Sequence, residues 1–562
     1  MVYLSRISNT TVQKHKQLKS RIKTFFRGDV ATDEKTLEKF SRDASLFYVR
    51  PEIVVFPKNT EDIRRLVTFV AESKRNGENI SLTARSAGSD MSGGDLSTSI
   101  VVSMTKYLNH LKKIGKNFAV TEPGVYYRDF EKETLKRGLL LPTFPASREI
   151  CTVGGMVANN SGGEKTPAYG KTENFVRQIK MVIRDGTECV FEPLSMQKLE
   201  KKKNLNNAEG DIYRRMFSLI DENYEAIKSA KPNVSKNSAG YYLWNVYDRD
   251  NDVFDLTRLI TGSQGTLGVI TEATLGLVKP KPYSRLLVIF LKEIKDVAKI
   301  ANIVLQFKPE CFESYDDNTF KVAMKFLPDL AKQMKTGLLK IAWQFLPEFF
   351  MGITGGAPKL VLIAQFAGDT PQECDGAART AQKSLDEFHI KTKVTKSEEE
   401  AEKYWTVRRE SFNLLRKHMR GLRTAPFIDD FVVLPKYLPK FLPRLYKILD
   451  ATHLLFTVAG HVGDGNFHII PLMDLTDPKT PRIIKDISEK VYNLVLDFHG
   501  SITGEHNDGL IRSPYLKKMY GKKIYSLFEE TKRIFDPDGI FNPGKKTGSS
   551  IKYAFDHLDK SA

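Results

Sequence analysis

Apolar residues follow two spacings along this chain, and the switches between them mark its elements. The run Ile53 to Phe56 reads as a strand, and Asn59 opens a helix with Ile63, Leu66, Val67 and Val70 on one face. Asn76-Gly77 ends that helix. Ile80 to Ala84, Ile100 to Ser103 and Phe118 to Thr121 read as further strands, and Tyr127 to Lys136 as a helix closed by Gly138. Lys201 to Asn207 is expected to be an exposed loop, and a strand pair around Leu259 to Leu277 to complete a first domain, bounded by Pro280 to Pro282. Strand and helix alternate again from Leu286 to about Leu472, and a helical tail with FDPDGIFNPGK ends the chain. The fold class expected is α+β. Residues 1–282 form the first domain (core 43–190 and 255–282), residues 283–500 a second α+β unit with an antiparallel sheet, and residues 501–562 a tail returning to the first domain.

At 562 residues the chain is too long for a single hydrophobic core, and 41% hydrophobic with 27% charged residues excludes disorder. Cys151, Cys189, Cys311 and Cys374 lie too far apart for a self-contained cysteine-ligated iron–sulfur cluster. The formal charge of +18 comes from scattered lysines with no nucleic-acid-binding motif, so no nucleic-acid partner is expected; a basic surface suits anionic substrates and acidic lipids. No secretory signal or membrane-spanning run is visible, which makes the expected location cytoplasmic, with peripheral contact at the inner membrane face as a variant. Leu18, Ile22, Phe25 and Phe26 fall at helical spacing among basic residues. That stripe leaves two readings open, an organellar or membrane-surface helix and a helix packed on the domain behind it. The apolar segment Leu338 to Ile353 likewise reads as core helix or membrane dock.

Two glycine-rich segments carry candidate chemistry, ARSAGSDMSGGD at Ala84 to Asp95 and TVGGMVANNSGG at Thr152 to Gly163. Backbone N–H groups grip a pyrophosphate best where glycine permits close approach and positive φ, so Gly88, Ser89, Ser92, Gly93 and Gly94 form a candidate nest. No GxGxxG occurs in either segment, and YGKT at Tyr169 to Thr172 lacks the upstream glycine of a P-loop. Tight turns also need glycine whatever a protein binds.

A more specific signal is HVGDGNFH, His461 to His468, where Gly463-Asp464-Gly465 can turn the chain and bring both histidines to one side. GEHNDG at Gly504 to Gly509 offers Glu505 as a third ligand. Two His and one Glu with an open position is a usual catalytic divalent site, with His506 beside it.

In order and spacing, PEIVVFP, the two glycine segments, YGKT and TGSQGTLGVIT resemble the FAD-binding domain of the vanillyl-alcohol-oxidase family. The resemblance implies that Ser86, Ala87, Gly88, Ser89, Asp90, Ser92, Gly93 and Gly94 hold the pyrophosphate. Pro145, Ala146, Ser147, Thr152, Gly155, Ser161 and Gly162 would line the flavin, and Ile270 would meet the adenine end. No histidine lies between Ala84 and Asp95, so non-covalent FAD is expected. HVGDGNFH, GEHNDG and DPDGIFNPGK resemble the C-terminal substrate (cap) domain of FAD-linked D-lactate, glycolate and D-2-hydroxyglutarate dehydrogenases. Carried over, His461, His468 and Glu505 are ligands of a divalent metal, zinc or manganese, His506 is the base, and Arg408 in YWTVRRES anchors the substrate carboxylate. Two departures are Asn507, where that pattern has glycine, and Ile470, where relatives often have asparagine. The implied activity is FAD-dependent oxidation of a small D-2-hydroxy acid, D-lactate favoured. Its electrons would leave to a separate acceptor such as a quinone, a cytochrome or an electron-transfer flavoprotein. An ether-lipid synthase reaction on FAD and a non-catalytic basic membrane scaffold stand as alternatives.

Overall fold

The computed structural model describes residues 9–317, 319, 358–418 and 421–561, and the segment Leu338 to Ile353 lies outside them. The fold is α+β with three small sheets before residue 280 and one large sheet after it.

In the first sheet Ile53–Phe56 and Leu82–Arg85 flank Ile100–Ser103 in parallel, and Asp29–Ala31 adds an antiparallel edge. The helix Thr60–Arg75 covers this sheet. Asn59 caps it by accepting from the Asp62 N–H at 3.1 Å, a contact worth about 1 kcal/mol, and Ile63, Leu66, Val67 and Val70 are buried. The second sheet is antiparallel throughout, in the order Leu111–Ile114, Phe118–Thr121, Val269–Gly276, Val176–Val182, Glu188–Phe191. Two expectations fail here. The pair around Leu259 to Leu277 is one strand, because Gly262, Gly265 and Gly268 take positive φ and keep Thr261–Gly268 a loop. Lys201–Lys203 are the last turn of the helix Met196–Lys203, where their charge complements the helix dipole.

The large sheet runs Lys391–Val394, Tyr283–Leu291, Leu360–Gly368, Cys311–Asp316, Leu455–His461, Asn466–Met473, Arg423–Thr424, with Phe431–Val432 also on Asn466–Met473. Its apolar residues Leu287, Ile289, Leu362 and Ala364 pack with Val297, Ile300 and Val304 of the helix Val297–Gln306. The tail runs back along the first sheet: Phe541 bridges to Leu82, and the Asn542 amide donates to the carbonyls of Gly94 and Gln264, each at 2.7 Å.

Leu18, Ile22 and Phe26 are buried against Ile63, Leu66 and Val70, so the N-terminal apolar stripe is core packing. Among the described residues no helix is long and apolar enough to cross a membrane. Ile22 is fully buried. Ile22→Ala should therefore cost about 2–5 kcal/mol, the usual penalty for emptying such a site. Urea unfolding checks this; an unchanged midpoint would mean that the helix does not pack on the sheet.

Candidate active site

One cavity of about 540 Å³ collects most of the chemistry anticipated from sequence. Its walls include Ser86, Ala87, Ser89, Asp90 and Gly94 of the first glycine loop, then Pro145, Ala146, Ser147, Thr152, Gly155, Ser161, Gly162 and Ile270. Its far end holds Arg408, His461, His468, Glu505 and His506. Gly88, Ser92 and Gly93 are outside the lining.

In the second half of the loop Asp90 accepts from the Ser92 N–H (3.1 Å), the Ser92 hydroxyl (2.7 Å) and the Gly94 N–H (2.6 Å). The second half of the predicted nest is thus turned onto its own carboxylate. Gly93, at φ +79°, faces Phe47, whose ring would lie 2.7 Å from an added Cβ, so its glycine answers to packing. The first half of the loop is different. Among the described residues the backbone N–H groups of Ser86 to Asp90 donate to no protein acceptor. Successive free N–H groups on a cavity wall fit a bound diphosphate, since protein rarely leaves such donors unmet. Gly155 lies opposite: a Cβ there would come 3.6 Å from the Ser86 Cβ. Cys151 also lines the cavity, but burial pushes its thiol up to about 12, too high for a ready nucleophile.

At the far end a hairpin does the positioning. Leu455–His461 pairs with Asn466–Met473 in the register Ala459↔His468 and His461↔Asn466. Strand alternation then puts Ala459, His461, His468 and Ile470 on one face, the face that lines the cavity. The Nε2 atoms of His461 and His468 converge on one oxygen of Glu505, at 3.0 and 3.4 Å from Oε1. Each ring is held from behind at Nδ1. Glu313 takes His461, while Asp429 takes His468 at 3.0 Å and His506 through its other oxygen. A carboxylate behind each imidazole is the usual way to orient metal-ligating histidines. The His468 and His506 rings stack with centroids 4.9 Å apart.

The GEHN loop is shaped by Asp430. Its carboxylate accepts from the N–H groups of Gly504 (2.8 Å), Glu505 (2.9 Å) and His506 (2.8 Å) and from the Thr503 hydroxyl (2.6 Å). Asp430, His468, Glu505 and His506 place ligand atoms within 4.8 Å of one another, a grouping that leaves out His461. We favour His461 over Asp430 as the third donor, because the oxygens of Asp430 are already occupied by loop donors, whereas His461 Nε2 points at Glu505. Asn507 adopts φ +69°, tolerable for asparagine, and its amide donates to the carbonyls of Asn159 (3.1 Å) and Gly262 (2.9 Å).

Arg408 reaches the same cavity, but its Nε (3.1 Å) and one terminal nitrogen (3.0 Å) are spent on Glu313. Arg409 lines the wall too, paired with Glu164 at 2.8 Å. Burial alone would raise the Asp429 and Glu505 carboxyls. The imidazoles around Asp429, and Lys236 with His461 around Glu505, hold both well below the usual range. Burial would likewise lower His468, yet Asp429 outweighs it and pushes the ring up to about 10.

Sequence reasoning missed Glu313, Asp429, Asp430 and Lys236. The signal was present: FIDDFVV sets two adjacent acids inside an apolar run, where a carboxylate is found only with dedicated partners.

Residues 51–192 match the FAD binding domain, and residues 281–546 match the C-terminal domain of FAD linked oxidases. A protein of Pseudomonas putida named D-2-hydroxyglutarate dehydrogenase is 26% identical over 526 residues, covering 92% of this chain; the chain spans 50% of that relative's length. The glycolate oxidase subunit GlcD of Bacillus subtilis is 26% identical over 521 residues, 90% of this chain and 91% of the relative. Among solved structures, 4-ethylphenol oxidase from Gulosibacter chungangensis aligns with TM-score 0.67 at 16% identity, over 96% of this chain and 98% of its own, a likeness of fold.

Because Gly155 sits in a helix with ordinary backbone angles, Gly155→Val adds bulk to the cavity without backbone strain. The purified variant should keep its thermal midpoint within a few degrees and lose most of its bound FAD. A yellow variant with a full complement of FAD would show that the dinucleotide lies elsewhere.

Proposed function

The chain belongs to the FAD linked oxidases, and from that membership we propose that it oxidises a small D-2-hydroxy acid, D-lactate favoured, to the 2-oxo acid. The observation that carries this reading is the convergence of His461, His468 and Glu505 at 3.0 to 3.4 Å in the cavity lined by the FAD loops. Alcohol oxidation needs a proton and a hydride to leave from neighbouring atoms, and this cavity offers groups for each task.

When bound, FAD supplies the hydride acceptor, and a divalent ion, zinc or manganese, supplies the charge that acidifies a hydroxyl. His461, His468 and Glu505 are the residues that would hold the ion. His506 is the proposed base: Asp429 engages Nδ1, which leaves Nε2 to take the proton, and against burial Asp429 and Asp430 raise the basicity of the ring. Arg408 would orient the carboxylate with its remaining N–H groups, Glu313 keeping the guanidinium in place. Ala459 and Ile470 make the wall beside the histidines apolar, which suits a short side chain such as a methyl group. FAD is read as dissociable, since Ala84 to Asp95 holds no histidine. With no cysteine cluster to pass electrons inward, a separate acceptor would collect them, and the +18 charge favours an acidic one or an anionic membrane surface.

The mechanism is tested by anaerobic stopped-flow bleaching of the flavin with D-lactate, glycolate and D-2-hydroxyglutarate. His506→Asn should retain FAD and metal yet slow flavin reduction roughly 100-fold to 10,000-fold, the share of a positioned base. His461→Asn should instead lose the metal and weaken substrate binding along with turnover. Wild-type rates in His506→Asn would remove His506 from the chemistry.

A second expectation concerns pH. His468 is held at about 10 in the metal-free cluster, so at pH 7 the ring carries a proton that a ligand must shed. Loading zinc into the chelated protein should release at least one proton per ion, and apparent affinity should rise roughly tenfold per pH unit from pH 6 to 8. A pH-indicator titration measures both, and zinc uptake without proton release would argue against His468 as a ligand.

A further inference from the structure

Lys236 is fully buried, in the segment KNSAG that no part of the proposed chemistry uses. Its ammonium donates to Glu505 Oε2 at 3.0 Å and to the Gly163 carbonyl at 3.2 Å, and it pairs with Asp464 at 3.3 Å. Three acceptors around three N–H groups leave the ammonium no direction in which to swing. The charge survives its burial because Glu505, Asp464 and Glu313 surround it.

The consequence falls on Glu505. Its two oxygens have different neighbours: Oε2 faces Lys236, and Oε1 faces the Nε2 atoms of His461 (3.0 Å) and His468 (3.4 Å). Rotation that would bring both oxygens to the imidazole side is opposed by the Lys236 hydrogen bond, which it would break, leaving a buried ammonium short of an acceptor. A carboxylate can give a divalent ion one oxygen or both, and a second oxygen would fill a position that substrate would otherwise take.

We propose that Lys236 is a positioning residue that makes Glu505 a single-oxygen metal ligand, holding open a coordination position for the substrate. This rests on the reading of His461, His468 and Glu505 as a metal site. Lys236 also offsets the charge of Glu505, so that an ion held here keeps more of its positive charge for an incoming oxygen.

Cobalt(II) alone is the probe, bound to the chelated, FAD-loaded protein, with X-ray absorption at the metal edge and the visible spectrum as readouts. In wild type one Glu505 oxygen should bond the ion. In Lys236→Met the first shell should gain one oxygen and the visible bands weaken as coordination number rises. Cobalt affinity should hold or increase about tenfold while kcat falls about tenfold, the scale of an outer-shell change. Lys236→Arg should restore the wild-type spectrum in part. Loosened packing alone would weaken metal binding and turnover together. Two Glu505 oxygens on the ion in wild type would overturn the proposal with no variant needed. So would a folded Lys236→Met protein whose spectrum and first shell match wild type. Failure of wild type to take up cobalt would instead defeat the metal reading, and the role of Lys236 with it.

Discussion

Four carboxylates, Glu313, Asp429, Asp430 and Glu505, are buried around one end of a single cavity that two of them line, and none can stay ionised there without dedicated partners. That requirement organises the catalytic half of the molecule. Asp430 is met by the backbone of the GEHN loop, Asp429 by two imidazoles, Glu313 by His461 and Arg408, and Glu505 by Lys236 with His461 and His468. The partners come from the large sheet, from the helix Glu398–His418, from the loop after the helix Thr480–Asp497, and from residue 236 of the first half. Satisfying the charges therefore ties distant stretches of chain into one site.

The way each carboxylate is satisfied decides what chemistry it can do. Asp430 also receives the Asn466 amide at 3.1 Å, so its lone pairs are filled and its work is structural. Asp429 divides its oxygens between His468 and His506, which holds both rings at Nδ1 and links their orientations. Glu505 is left with one oxygen among imidazoles. A grouping by distance cannot tell these cases apart; the donor inventory can.

The same logic explains what was legible in the sequence. The meeting of His461 and His468 was readable because a glycine turn and a hairpin register are local, and period-two alternation carries both histidines to one face; Glu505, 44 residues from His461, was readable only from its own motif, GEHNDG. The glycine loops were readable as a pair, but not the division of labour inside the first, since Asp90 turning back on Ser92 and Gly94 is a choice the motif does not encode. Glu313, Asp429 and Lys236 escaped because their partners lie 148, 77 and 269 residues away. Only Asp429 left a mark, and a negative one: a charged residue inside a run, FIDDFVV, that otherwise reads as core. The Lys201–Lys203 error has the opposite origin, composition overriding a helix C-terminus that favours lysine.

Asn507 shows why a departure from a pattern need not be a loss. Glycine would satisfy the φ of +69° at no cost, whereas asparagine occupies it with modest strain and gains an amide. That amide reaches the carbonyls of Asn159 and Gly262, while the Asn159 side chain donates to Asp90 at 3.0 Å and Gln264 accepts from the Gly509 N–H at 2.9 Å. A continuous set of hydrogen bonds thus runs from the residue beside His506 to the first glycine loop. Transfer between a substrate carbon and a flavin depends steeply on their separation, and a shift of about 1 Å can cost a hundredfold. With glycine at 507 that distance would rest on packing between the two halves. Here directed bonds hold the GEHN loop as well, so the side chain at the departure keeps His506 in register with the first glycine loop.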